Sequence, residues 1–74
     1  MNYDDITKRL MKCESRVEAY MMLVQLNFGK DQLLDYAKHL DVHVNSNNAK
    51  EMIRAAIVGS TTGAVLNSKA IQGG

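Results

Sequence analysis

With 74 residues the chain makes one domain and no more. Folding at that length buries only roughly 60% of the unfolded surface, and with no Trp, one Phe and five Met the core falls to Leu, Ile, Val, Ala and Met. Nine Lys/Arg against eight Asp/Glu leave a net charge of +1, which excludes a chain built as a whole to wrap a polyanion and leaves open a local basic patch.

The spacing predicts about four helical segments, an all-α fold. In DDITKRLMKC, Ile6, Leu10 and Cys13 recur at steps of four and three, giving one apolar stripe. Asp4 or Asp5 is suited to cap its start, and acidic residues there complement the positive end of the helix dipole. SRVEAYMMLVQL follows, with Ser15 and Glu18 in capping-box spacing. Its apolar positions Val17, Tyr20, Met21, Leu23 and Val24 cover more than one face, so this is expected to be the most buried helix. Ser15 begins a second helix or sits within a single bent one; the pattern allows both.

The NFG stretch, residues 27–29, breaks the periodicity, with Gly29 the residue suited to an unusual backbone conformation. From Lys30 to Leu40 a helical face gathers Leu33, Leu34, Ala37 and Leu40, with Tyr36 to one side. After Leu40 the apolar period drops from about 3.6 to 2. Val42 and Val44 alternate with His43 and Asn45, which predicts an extended connector whose two valines close one edge of the core. Asn48 and Glu51 repeat the capping-box spacing, and Met52, Ile53, Ala56 and Ile57 supply the next buried face. Gly59 or Gly63 is expected to end that helix, and the tail VLNSKAIQGG to add a short turn through Leu66, Ala70 and Ile71. The whole reads as a single domain over 1–74: N-terminal helices in 1–28, a helix–extended loop–helix core in 29–58 and a tail in 59–74.

The stretch GKDQLLDYAKHLDVHVNSNNAKEMIRAAI resembles the helix–extended loop–helix domains of the SAP, LEM and Rho N-terminal-like superfamily. Leu33, Leu34, Ala37 and Leu40 match the first helix, Val42 and Val44 the loop, and Lys50, Met52, Ile53 and Ile57 the second helix. The tail IVGSTTGAVLNSKAI is similar to that of small bacterial and phage proteins that carry such a core. Several members of the superfamily bind DNA or RNA through basic residues near the loop and the start of the second helix; others bind proteins. The resemblance therefore implies Lys50 and Arg54, with Lys30 and Lys38, as phosphate contacts, and Asn45, Ser46, Asn47 and Asn48 as neutral ones. Two departures stand against it: Asp41 replaces the usual glycine that closes the first helix, and residues 42–48 hold no Lys or Arg.

Catalytic signals are weak. Nucleophilic chemistry needs a nucleophile, a base and an orienting group within hydrogen-bond reach, and the one thiol, Cys13, lies on the stripe with Ile6 and Leu10, as a buried core cysteine would. His39 and His43 straddle a helix end and lack the intervening Glu of a zinc-protease pair, and a structural zinc site wants four ligands. GSTTG lacks the Lys of a phosphate loop. Neither an enzyme nor a metal or other cofactor is expected. The uncharged run at 55–68 is interrupted by Gly, Ser, Thr and Asn, so no membrane span is expected. The opening MNYDDITKRL has no apolar signal core, and a cytoplasmic setting is the default.

Two binding readings remain. Lys8, Arg9, Lys12 and Arg16 recur at helical spacing, and Arg9, Lys12 and Arg16 share a face if the first helix runs through, a second candidate phosphate patch; a solvated face is the plainer account. The five methionines exceed what so small a core needs and suit an adaptable protein surface, with Met11, Met22, Tyr3 and Phe28 expected outside the core; closing an irregular core is the plainer account there. The first expectation is a small protein-interaction module, its partner a foreign protein or a second copy in a homodimer. Nucleic-acid binding through the helix–extended loop–helix segment is the alternative.

Overall fold

The computed structural model describes residues 2–66. Among them stand α1 Tyr3–Lys12, α2 Arg16–Leu26, α3 Lys30–His39 and α4 Lys50–Ser60, a further helical stretch at 62–66, and no strand. The fold is all-α.

Local polar groups set where α1 and α2 begin. Asn2, not Asp4 or Asp5, caps α1: its Oδ1 accepts the Asp4 N–H at 2.9 Å, and the two aspartates sit in the first turn, where the dipole favours them. At Cys13 the backbone turns extended, φ −65° and ψ 143°. Ser15 then opens α2, its Oγ accepting the Glu18 N–H at 3.1 Å, while the Glu18 carboxylate reaches back to the Glu14 N–H at 3.1 Å. There are two helices here, not one bent one. Before α4 the expected Asn48–Glu51 box does not form. Ala49 is the N-cap without a side-chain bond, because the Asn48 Oδ1 instead accepts the Asn45 N–H at 2.8 Å and closes the preceding turn.

Among the described residues two that are not glycine adopt left-handed backbone, and both end helices. Asn27, φ 57°, closes α2, whereas Gly29 is an ordinary extended N-cap of α3 at φ −71°. Asn tolerates that region better than most residues, so the special conformation falls to it. Asp41, φ 59°, closes α3. Its N–H donates to Lys38 O at 3.0 Å and the Val42 N–H donates to Ala37 O at 2.8 Å, the paired bonds of a Schellman cap. Asp41 thus takes the conformation a glycine usually supplies.

The core gathers Ile6 and Leu10 from α1, Ala19 and Leu23 from α2, Leu33, Tyr36 and Ala37 from α3, and Ile53, Ile57 and Val58 from α4. α4 packs against both α2 and α3. Tyr36, expected to one side, is fully enclosed, because its hydroxyl finds Thr7 Oγ1 at 2.7 Å and its polar tip is satisfied inside. Phe28 joins the core as well, contrary to expectation, directly after the left-handed turn at Asn27 that ends α2. Val42 and Val44 pack partly buried on the core while His43 faces out, as the alternation predicts. Met52, expected inward, is 58% exposed.

Neither glycine ends α4 with a left-handed cap. The helix stops at Thr61, whose hydroxyl donates to Ile57 O at 2.8 Å and so competes for a helix carbonyl. Residues 62–66 resume helix, and the buried Thr62 hydroxyl donates to Leu10 O at 2.6 Å, tying this turn to the end of α1. Ala70 and Ile71 of the predicted tail turn lie outside the described residues. Among the described residues no helix is long and apolar enough to cross a membrane.

Candidate functional site

α2 reads RVEAYMMLVQL, with Arg16, Glu18 and Gln25 its only strongly polar side chains. A helix apolar on all sides belongs inside a protein. The structure encloses only one side of it, through Ala19 and Leu23, with Tyr20, Met22 and Leu26 partly buried at the margins. Val17 is 73% exposed, Met21 50% and Val24 36%. At steps of four and three these three form a continuous stripe along the helix. The expectation that α2 is the most buried helix is therefore wrong for this chain, because α4 packs on its inner side and nothing among the described residues covers the outer one.

A shallow groove of about 400 Å³ runs beside the stripe, lined by Arg16, Val17 and Tyr20 of α2 and Ala55, Val58 and Gly59 of α4. A Cβ added at Gly59 would meet nothing within 4 Å, whereas one at Gly63 would lie 3.2 Å from Arg16 Nε. The Arg16 side chain thus lies over Gly63, while open space lies beside Gly59. The Arg54 guanidinium carbon stands 6.0 Å from the centre of the Tyr20 ring, at the outer reach of a cation–π contact, and Arg54 Nε is buried with no hydrogen-bond partner among the described residues.

Of the side chains expected to form a protein surface, Met11 is 42% exposed but belongs to α1. Met22 is half-buried against the core and Phe28 is within it. Tyr3 is also half-buried: its ring stacks on Tyr36 with centroids 4.9 Å apart, and its hydroxyl donates to Asp35 Oδ2 at 2.8 Å. That hydrogen bond, with some burial, raises the Tyr3 pKa above its ordinary value. Val17, Met21, Val24 and Met52 were missed. The signal that finds them is α2's all-round apolar composition, which asks for more cover than this small domain supplies.

The basic candidates are dispersed. Arg9 and Lys12 are exposed on α1, but Arg16 opens a different helix, so the break at residues 13–15 divides the proposed patch. Lys50 is exposed at the start of α4, Arg54 leans on Tyr20, and Lys30 opens α3 half-buried. Lys38 borders an open cleft of about 510 Å³ with Leu34, Asp41, Val42, His43, Val44 and Ser46, a lining that holds both a cation and a carboxylate. In the connector the Asn45 and Asn48 side-chain carbonyls are committed to backbone N–H groups of residues 47 and 45; Ser46 and Asn47 are exposed.

Cys13 is half-buried rather than enclosed, with its thiol 3.4 Å from Arg9 O. Burial, and secondarily the Glu18 carboxylate, push its pKa up, which keeps the thiol protonated and a poor nucleophile at neutral pH. His39 Nε2 meets Asp4 Oδ1 at 3.1 Å across α3 and α1, while His43 borders the cleft. Among the described residues no group of three or more His, Cys, Asp or Glu is placed to hold a metal ion.

What fold and surface define is a small all-α domain in which, among the described residues, the outer apolar face of α2 is uncovered. No family model, no curated protein and no solved structure matches the chain. The function is therefore read from this chain's own residues.

Proposed function

We propose that this chain is a small, non-catalytic protein-interaction module, acting in the cytoplasm of a bacterium or of a phage-infected cell, and that it docks through the outer face of α2. The observation that carries this reading is the stripe of Val17, Met21 and Val24 on a helix with only three strongly polar residues. Covering a Val or Met side chain fully is worth roughly 1.5–3 kcal/mol. Three half-exposed ones supply a few kcal/mol toward the ordering cost of association. Methionine's flexible thioether suits such a contact. Residues 29–58 are read as a helix–extended loop–helix unit, supported by α3, the partly buried valines and α4 in that order. In this module the unit is the scaffold that holds α2.

Site-specific photo-crosslinking in cells tests the reading, with a photoreactive residue at position 21 in one variant and at position 12 or 50 in others. The expected result is protease-sensitive, nuclease-resistant adducts at position 21. Nuclease-sensitive adducts at positions 12 or 50, with none to protein at 21, would overturn it in favour of nucleic-acid binding.

A further inference from the structure

We draw no further inference here: the strongest candidate, the apolar stripe of Val17, Met21 and Val24 along the outer face of α2, carries nothing beyond the docking already proposed, since nothing in the structure shows what covers it.

Discussion

α1 and α2 are neighbours of nearly equal length, and they meet solvent in opposite ways. α1 is amphipathic: Ile6 and Leu10 are enclosed, and its outer surface carries Asp5, Lys8, Arg9 and Lys12. Its seam with α3 is closed by polar contacts, Tyr3 to Asp35, Thr7 to Tyr36 and Asp4 to His39. α2 encloses Ala19 and Leu23 and then presents Val17, Met21 and Val24 to water. Among the described residues one helix is covered on its apolar side, and the other is covered on one of its apolar sides only. The difference teaches that apolar spacing predicts burial where a helix has a single apolar stripe, and overstates it where the helix is apolar all round. A small domain has too few elements to cover every side.

The sharpest way to break this comparison lies within α2 itself. Leu23→Ala removes a fully enclosed side chain and should cost about 2–5 kcal/mol, whereas Val17→Ala should change monomer stability by no more than about 0.5 kcal/mol. Urea denaturation at low micromolar concentration measures both. Equal losses would mean that the outer stripe is already packed in the monomer.

The covered side can be opened at its longest-range contact. Thr62→Val keeps the shape but removes the buried 2.6 Å bond to Leu10 O, and should cost about 1–3 kcal/mol. A change near zero would show that the 62–66 turn does not hold α1.

A smaller effect tests the polar seam. Tyr36→Phe deletes the bond to Thr7 and should cost about 1 kcal/mol. It should also change the alkaline response. Burial raises the Tyr36 pKa, partly opposed by the Thr7 hydrogen bond, and Tyr3 is raised by its bond to Asp35. A phenol that holds its proton more tightly when folded contributes stability that is complete below the unfolded value of 10.0 and is lost as pH rises through the higher folded value. Thermal melts of wild type, Tyr36→Phe and Tyr3→Phe/Tyr36→Phe through this alkaline range should show successively shallower losses. Parallel curves would mean the seam does not sense the phenols.

The smallest effect should be a gain. Asp41 holds left-handed backbone at φ 59°, where a side chain is disfavoured and glycine is not. Asp41→Gly should therefore stabilise the chain by about 0.5 kcal/mol, read as a rise in the thermal midpoint. A loss would mean that the Asp41 side chain makes a favourable contact at the edge of the connector cleft.

Much of the fold was legible because it depends on neighbours in sequence. Steps of three and four placed Ile6 and Leu10 inward, Ser15 announced α2 by its distance from Glu18, and the change of period after Leu40 marked the connector and its valines. Errors at helix ends, Asp4 or Asp5 for Asn2 and Gly29 for Asn27, arose where residues two or three positions apart are both competent. The candidate surface was legible only as a surplus. The methionines and α2's composition said that something apolar would be left over, but not which residues; Phe28 and Met22 went inward, while Val17 and Val24 stayed out.

The sequence by itself determined the all-α class and where most helical segments lie, since hydrogen bonds four residues apart and apolar periodicity are local properties of the chain; whether α1 and α2 are one helix or two it left open. Only the tertiary structure decided which face of α2 the core would take. It also enclosed Tyr36 by pairing its hydroxyl with Thr7 and tied Thr62 to Leu10 across 52 positions. Those outcomes depend on which distant groups meet and satisfy one another's polar atoms. A helix that would accept burial on any side takes its orientation from its neighbours.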